Sequence, residues 1–511
     1  MLFRICSLTL LLLIESHFTV LAAQRGEIVV SRTVPVINNE LTLRLQLPEN
    51  VQLKDTATLN ISLAGQSILQ RTLTLANADG RSASFTPRET GFYKAVVDFG
   101  AGSNAERIVQ EFPVVWRDMY FLVWGPPTPD ERLAYGPLTA QVIAPNRKPE
   151  TIRYWLDHGS DVVAWIGAPK SQPSGVIPEE QMADWIKEIS EQVDRGCNGI
   201  FIDEFGGYPT EYGINRMRSI GVMLQQARER FPDLLIMPAT AGAIQRELAI
   251  AYKEVGAVAL LESYPTCFTR FFASHNFKKH LDWRIETARN TDLIHYAGQG
   301  QAAIVLLGTR ICAAHEEPVA AEVEHHVRYI KKHAPEMPGI GFYGMRYDGM
   351  TRQLVRMVND YYIKPVVDLR AIRFAPYTAA TGKAVDVLVG IHNLGGMTAR
   401  DIKVHVYAGE HGTAKKEQIG TISIDAIAYG HRDLKQKEQG QLVEYQQVNG
   451  NRYAVSSEDS QNRVFLARTT GKVTWTPDRP GYYTITAEVQ PSAQDQFTIL
   501  DGALQETLLV K

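Results

Sequence analysis

The spacing of apolar residues divides the chain into three segments. Residues 27–117 and 366–511 carry short runs in which apolar and polar residues alternate, such as Leu41-Thr42-Leu43-Arg44-Leu45, separated by turn-forming clusters. A period of two places every second side chain of a strand on one face, against a core. We therefore predict an Ig-like β-sandwich at each end of the chain.

Residues 118–364 follow a different pattern, in which short apolar runs alternate with amphipathic helical stretches. This is the pattern of successive βα units around a parallel sheet. Seven runs are clear strands, and residues 139–143 form a weaker eighth strand between the first two. Eight βα units in about 250 residues predict a (β/α)8 TIM-like barrel. An open doubly wound sheet is the alternative, although no strand is followed by a Gly-x-Gly-x-x-Gly loop that would bind a dinucleotide.

The two outer segments also share a local motif. Phe85-Thr86-Pro87 precedes Gly91-Phe92-Tyr93, and Trp475-Thr476-Pro477 precedes Gly481-Tyr482-Tyr483 at the same spacing. A repeated motif of this kind indicates two related sandwich modules. The alternative is a coincidence of turn chemistry, because Pro and Gly are common in the turns of all β domains.

The charge of the chain and its N-terminal residues indicate which partners and which compartment to expect. The formal net charge is -3 over 511 residues, with Lys and Arg spread along the chain, so we expect no nucleic-acid partner. Residues 1–22 combine Arg4, a short apolar run and a small-residue end, which predicts a cleaved signal peptide and a secreted, periplasmic or cell-surface protein. No other stretch is long and apolar enough for a membrane span. The oligomeric state stays open.

The cysteines and histidines indicate neither a disulfide framework nor a metal site. Without the signal peptide the chain keeps Cys197, Cys267 and Cys312, which we interpret as buried thiols, with one disulfide between two of them as the alternative. Their spacing matches no zinc pattern, so we expect no metal and no cofactor. His325 and His326 are adjacent on a predicted helix and point about 100° apart, so we interpret them as surface or packing residues.

Carboxylates and aromatic residues are concentrated where the predicted barrel strands end. The carboxyl ends of the strands build the active site in this fold. The candidate catalytic residues there are Asp203, Glu204 and Glu262. The candidate substrate-binding residues are Trp124, Trp165, Tyr208, Tyr264, His315, Tyr343, Arg346 and Tyr347.

Alternation along the strands restricts which acids can point into the barrel. Ile200, Ile202 and Glu204 share one face of their strand, while Phe201 and Asp203 share the other. Val258, Leu260 and Glu262 share a face in the same way. We expect Glu204 and Glu262 to point into one mouth with Asp203 close by as a third acid, unless the strand has already turned into its loop.

Two carboxylates beside aromatic rings suit the hydrolysis of a glycosidic bond, because one protonates the leaving oxygen while the other attacks or activates water. The stretch Gly199-Ile200-Phe201-Ile202-Asp203-Glu204 resembles the fourth-strand signature of the TIM-barrel glycoside hydrolases. That resemblance implies Asp203 as the nucleophile and Glu262, at the end of the sixth strand, as the acid/base. The stretch lacks the acids spaced two apart of chitinase-like enzymes, because Ile200 and Ile202 occupy those positions.

The start of the last segment, residues 367–407, resembles a bacterial CARDB-type Ig-like module, which implies a spacer or adhesion role. Together these features predict a secreted glycoside hydrolase that acts on a polysaccharide or oligosaccharide. The alternative is a non-catalytic carbohydrate-binding or cell-surface adhesion protein that keeps the barrel as a scaffold, with acids paired to Arg310 or Arg346. A third possibility, metal-dependent hydrolysis, requires His and acidic residues to converge.

Overall fold

A computed structural model describes most of the chain. The described residues are 26–47, 56–76, 79–100, 107–124, 139–143, 148–203, 205, 210–241, 244–264, 277–291, 293, 302–308, 320–343, 350–428, 444–448, 451–455, 467–492 and 496–511. The predicted signal peptide, residues 1–22, lies outside these ranges.

The first domain is a sandwich of two antiparallel sheets. Its strands are β1 Glu27–Val30, β2 Leu41–Gln46, β3 Thr56–Leu63, β4 Gln66–Thr74, β5 Ser82–Phe85, β6 Gly91–Asp98 and β7 Ile108–Val114. One sheet has the order β1-β2-β5 and the other β4-β3-β6-β7. The alternating residues Leu41, Leu43 and Leu45 are all buried between the sheets, which confirms the period-two prediction for this segment.

The middle of the chain is a closed parallel barrel of eight strands, as predicted. The strands are β8 Tyr120–Trp124, β9 Ala140–Ile143, β10 Asp161–Ile166, β11 Gly199–Ile202, β12 Leu235–Thr240, β13 Val258–Ser263, β14 Ala302–Gly308 and β15 Gly339–Tyr343. They are neighbours in chain order, and β15 pairs with β8 to close the barrel. The weak eighth strand is real, because β9 pairs with both β8 and β10. Closure excludes the open doubly wound sheet.

Seven α-helices cover the barrel among the described residues. They are α1 Pro149–Asp157, α2 Glu179–Asp194, α3 Glu211–Arg230, α4 Arg246–Glu254, α5 Phe277–Asn290, α6 Ala320–His333 and α7 Met350–Val358. Their apolar stripes meet the outward faces of the strands in one large core. In the part of the chain that the structure describes, no helix combines the length and apolarity of a membrane span.

The last domain is a second antiparallel sandwich. Its strands are β16 Val366–Ala375, β17 Val385–Asn393, β18 Ala399–Glu410, β19 Glu417–Ile427, β20 Glu444–Val448, β21 Asn451–Val455, β22 Ala467–Trp475, β23 Gly481–Val489, β24 Thr498–Ile499 and β25 Ala503–Val510. The sheets are β22-β17-β16-β24 and β19-β18-β23-β25, while β20 and β21 pair separately.

The motif shared by the two sandwiches has the same local geometry in both. The Tyr93 hydroxyl donates to the carbonyl of Glu89 at 3.0 Å, and the Tyr483 hydroxyl donates to the carbonyl of Arg479 at 3.2 Å. Gly91 and Gly481 begin their strands with φ values of 154° and 143°, which residues with a side chain rarely adopt. Each tyrosine therefore fastens its own strand to the turn four residues upstream, as in the tyrosine corner of Ig-like folds.

Both sandwiches contact the barrel at the end where its strands begin. Thr33 N–H of the first sandwich donates to the carbonyl of Gly159, in the turn between α1 and β10, at 3.0 Å. Arg328 of α6 donates to the carbonyl of Leu500 in the second sandwich. The two sandwiches also meet directly, because Thr398 N–H donates to Oγ1 of Thr90 at 3.2 Å.

Asp368 of β16 is a buried acid at the contact between α6 and the second sandwich. Its side chain is fully buried and forms an ion pair with Arg370, while Lys332 of α6 pairs with Asp501 beside it. Burial raises the pKa of Asp368 to about 6, although Arg370 opposes the shift. The native state therefore holds this proton more tightly than the unfolded chain does.

The contribution of Asp368 to stability is expected to fall as the pH rises from about 4 to about 6, since the unfolded chain gives up this proton first. Asp368→Asn mimics the protonated form, so above pH 6 we expect the variant to exceed the wild type in stability by about 1 to 3 kcal/mol. Urea unfolding of both proteins at pH 4.5 and 7.5 tests this. Equal differences at the two pH values would contradict it.

Candidate active site

The stagger of the barrel strands determines which side chains share the mouth. A path that follows paired residues around all eight strands returns to β11 eight residues before its start. A stagger of this size arranges the inward side chains of alternate strands in layers. Toward the C-terminal mouth, successive layers contain Val142, Phe201, Leu260 and Gly341, then Trp124, Trp165, Ala239 and Leu306, then Asp203, Glu262 and Tyr343.

Asp203 continues the inward face of β11. Its N–H donates to the carbonyl of Ile166 at 3.2 Å, so the pairing with β10 persists to this residue. Phe205 N–H donates to the carbonyl of Ala239 at 2.7 Å, one residue later than a regular ladder with β12 would place that bond. The regular strand therefore ends at Asp203. Trp165 Nε1 donates to Oδ2 of Asp203 at 3.2 Å.

The face of β11 that was expected to carry the second acid points away from the mouth. Ile200 and Ile202 pack outward against the helices, whereas Phe201 lies inside the barrel. The face that Ile200 and Ile202 share therefore points out of the barrel, and the direction of Glu204 stays a prediction. Glu204 itself lies outside the described residues.

Glu262 faces the interior from β13, together with Val258 and Leu260 as predicted. It is 4% exposed, and the Tyr264 hydroxyl donates to its Oε2 at 3.3 Å. Burial raises the pKa of Tyr264 well above its usual value, and the charges of Glu262 and Asp203 both add to the shift. The two carboxylates thus act on the same phenol.

Four of the predicted aromatic residues line this part of the barrel. The ring of Trp124 contacts Phe201 and Tyr343 edge-on, at centroid distances of 4.4 and 4.5 Å. Tyr343 lies 5.8 Å from Tyr264 in the same manner. Trp165 is 37% exposed and lies 6.4 Å from Trp124. Trp124 is therefore part of the floor, while Trp165 offers surface to a ligand.

Arg284 of α5 belongs to the site although it was not predicted from the sequence. It is 2% exposed, and its guanidinium donates to the carbonyl of Ala241, just beyond β12. Burial lowers the pKa of Arg284 to about 10, while the charges of Glu262 and Tyr264 oppose that shift. The signal was its position in the helix, because Arg284 lies on the buried stripe of Leu281 and Ile285.

Gly308, at the end of β14, makes room for Tyr264. A Cβ at this position would lie 2.1 Å from Cδ1 of the tyrosine ring. Any larger residue would displace the ring and with it the hydroxyl that contacts Glu262. A glycine here therefore keeps Tyr264 in reach of the carboxylate.

The structure leaves several predicted residues without a test. Glu204, Tyr208, His315, Arg346, Tyr347, Cys267 and Cys312 lie outside the described ranges, as does Arg310.

Cys197 is a buried free thiol, and burial raises its pKa to about 11. His325 and His326 pack against Phe277 at centroid distances of 4.8 and 4.9 Å. No three His, Cys, Asp or Glu side chains among the described residues are arranged to hold a metal ion.

Comparison with known proteins gives remote likenesses of fold. No family model and no curated protein matches the chain. A cycloisomaltooligosaccharide glucanotransferase of a Paenibacillus species is 10% identical, with 88% of this chain and 69% of that chain covered and a TM-score of 0.32. A mutant of a Bacteroides uniformis beta-glucuronidase is 9% identical, with 95% and 61% covered and a TM-score of 0.31. A CARDB domain from Pyrococcus furiosus is 16% identical, with 29% and 94% covered and a TM-score of 0.17.

Proposed function

We propose that this protein is a glycoside hydrolase with Asp203 and Glu262 as its two carboxylates. The observation that supports the proposal is their common layer at the mouth of the barrel, reached from β11 and β13. One strand separates these two strands, so their backbones lie about 10 Å apart, and both side chains point inward. Carboxylates facing each other across a sugar-sized space are the arrangement that glycoside hydrolysis requires.

The surroundings of the pair suit a sugar. The exposed ring of Trp165 beside Asp203 offers a flat surface for the apolar face of a pyranose. The inward residue of β12 near the pair is the small Ala239, and Gly308 of β14 gives its space to the ring of Tyr264. In the reaction one carboxyl group protonates the leaving oxygen, and the other attacks the anomeric carbon or activates water.

One observation supports the alternative of a non-catalytic carbohydrate-binding or adhesion protein. Glu262 is buried, accepts a hydrogen bond from Tyr264 and lies near the charge of Arg284. Buried ion pairs are often structural rather than catalytic. The two functions differ in whether the protein cleaves the sugar that it binds.

A substrate screen separates the two functions. The purified protein is incubated with polysaccharides and aryl glycosides, and the release of reducing ends is measured, with binding followed by calorimetry. We expect the wild type to release sugar, and the double variant Asp203→Asn/Glu262→Gln to bind the same substrate without cleaving it. Binding by the wild type with no release over the whole panel would support the non-catalytic alternative instead.

The proposal includes export, with residues 1–22 removed as a signal peptide. Expression of the full chain in a bacterial host, followed by N-terminal sequencing of the exported protein, tests this part. A mature N-terminus near residue 23 is the expected result. Retention of residue 1 on a cytoplasmic protein would contradict it.

A further inference from the structure

The aromatic rings that line the mouth differ in their exposure. Trp165, Trp124, Tyr343 and Tyr264 follow one another around the barrel at centroid distances of 6.4, 4.5 and 5.8 Å. Trp165 ends this series and is 37% exposed, whereas the other three rings are half-buried. Its indole N–H donates to Oδ2 of Asp203 at 3.2 Å. The accessible ring is therefore the one beside this carboxylate.

Gly167 leaves open space next to the Trp165 ring. It continues the inward face of β10, two residues after Trp165. The Asp203 N–H donates to the carbonyl of Ile166, so the ladder of β10 and β11 continues and places Gly167 opposite Asp203. A Cβ on Gly167 would meet no atom of the described residues within 4 Å. The mouth is therefore open over Trp165.

This open space is displaced from the point where a glycosidic bond would be cleaved. The strand order is β10-β11-β12-β13, with Asp203 at the end of β11 and Glu262 on β13. A bond that is cleaved must be within reach of both carboxylates, so it lies between them. Trp165, on β10, is on the other side of Asp203 from Glu262. A sugar on this ring is therefore a neighbour of the sugar that reacts.

The loop of residues 167–178, here named the β10 loop, runs from this space to α2 and is fastened to α3. Arg216 of α3 donates to the carbonyl of Pro169 at 3.2 Å and to Oγ of Ser171 at 3.0 Å. Ser171 also shares a hydrogen bond of 2.6 Å with the hydroxyl of Tyr212. The β10 loop is thus a fixed wall that begins at Gly167.

We propose that the space over Trp165 and Gly167 is a binding subsite for the sugar unit linked to the one that reacts, and that Arg216 is a positioning residue for its wall. This inference rests on the proposed function and names its substrate class, a glycan of at least two linked sugars. The flat indole offers a large apolar contact to the face of a pyranose. A wall that is ordered before the glycan arrives loses less entropy on binding.

Substrates of different length test the subsite. The wild type, Gly167→Ala and Gly167→Leu are compared on cello-, malto-, xylo- and chitotetraose and on the glycosyl fluorides of the same sugars, which leave the subsite empty. The ratio of kcat/KM for the tetrasaccharide to that for the fluoride is expected to fall with side-chain volume, by about 10- to 100-fold in Gly167→Leu. The Ala variant serves if the Leu variant fails to fold. Equal ratios in the three proteins overturn the subsite.

Arg216→Met tests the wall. We expect KM for the tetrasaccharide to rise by about three- to tenfold while kcat stays within about twofold, because the β10 loop must then be ordered on binding. Arg216→Lys should restore part of the affinity. Trypsin cleavage after Lys170, read as a new N-terminus at Ser171, should be faster in the Met variant. A fall in kcat with an unchanged KM overturns the positioning role.

The matched control is Arg218→Met, which removes an exposed arginine from the same helix. We expect it to change neither the KM for the tetrasaccharide nor the rate of cleavage after Lys170. A similar effect of Arg216→Met and Arg218→Met would mean that charge on α3, and not the contact with the β10 loop, is responsible, and would overturn the role of Arg216.

Binding without cleavage separates this inference from the proposed function. The tetrasaccharides are titrated by calorimetry into Asp203→Asn/Glu262→Gln, with and without Gly167→Leu, which should weaken binding by about tenfold or more. Weaker binding in a protein whose wild type cleaves nothing keeps the subsite and defeats the proposed function. Cleavage by the wild type with the same length preference in the Gly167 variants keeps the function and defeats the subsite. No binding and no cleavage defeat both.

Discussion

Replacing Asp203 by asparagine is expected to lower the turnover of an unactivated glycan by about 10²- to 10⁴-fold. The amide keeps the shape of the side chain and the contact with the Trp165 indole, but it cannot act as an acid or a nucleophile. Turnover is measured as reducing ends released by equal concentrations of folded wild type and variant. Because the substitution is nearly isosteric, thermal unfolding should change little.

The matched control is Asp161→Asn. Asp161 opens β10, at the opposite end of the barrel from the mouth, and accepts a hydrogen bond from Nδ2 of Asn198 at 2.7 Å. Burial raises the pKa of Asp161, so the control replaces another buried carboxyl group of the barrel at a distance from the mouth. Turnover within about twofold of the wild type is expected of Asp161→Asn. A similar loss in both variants would mean that the losses arise from a disturbed barrel and not from chemistry.

Gly339→Ala is expected to produce the largest loss of stability. Gly339 begins β15 and pairs with Tyr120 of β8 where the barrel closes. A Cβ at this position would lie 1.8 Å from the backbone oxygen of Tyr120, which cannot move aside as a side chain could. Overpacking of this kind costs about 1 to 3 kcal/mol or more, and we expect the upper end because the strain acts on a ladder. Urea unfolding measures the change.

Gly167→Ala is the control for this prediction. Gly167 lies just beyond β10, and an added Cβ would meet no atom within 4 Å. The same chemical change should then alter stability by no more than about 0.5 kcal/mol. If both variants lose similar stability, the loss comes from replacing a glycine in general and not from the contact with Tyr120 where the barrel closes.

Much of the fold could be predicted from the sequence because each segment has its own hydrophobic period. The strand β9 was weak in the sequence, since Thr139 and Gln141 interrupt its apolar residues, and its pairing with both neighbours is what establishes it. The motif shared by the two sandwiches could be recognised in the amino-acid sequence. Its physical basis, a tyrosine hydroxyl bonded to a carbonyl four residues upstream, needed coordinates.

The inward acid of β11 could not be identified from the sequence. All four residues of this strand are buried, as is usual when helices cover a parallel barrel, so no polar face marks which side is inside. The choice depends on the stagger between strands, which is set by the whole barrel. On β13 the outcome was different, because Glu262 was expected on the face of Val258 and Leu260 and lies there.

Arg284 was missed for a related reason. An amphipathic helix is expected to direct its charges to solvent, and one arginine among the charged residues of α5 gives no sign of pointing inward. Its position three residues after Leu281 and one before Ile285 was the available signal. The candidate residues chosen from the sequence therefore included the acids of the mouth but not this buried arginine.

The contacts between the domains and the candidate catalytic residues lie in different parts of the protein. Thr33 contacts Gly159 just before β10, Arg328 of α6 contacts Leu500, and Thr398 contacts Thr90 between the two sandwiches, so none of these contacts involves Asp203 or Glu262. Asp203 and Glu262 lie where β11 and β13 end, at the mouth of the barrel. Substitutions at these strand ends would leave the interdomain contacts named above intact. The specificity of the mouth can therefore be re-engineered without rebuilding the joints that hold the domains together.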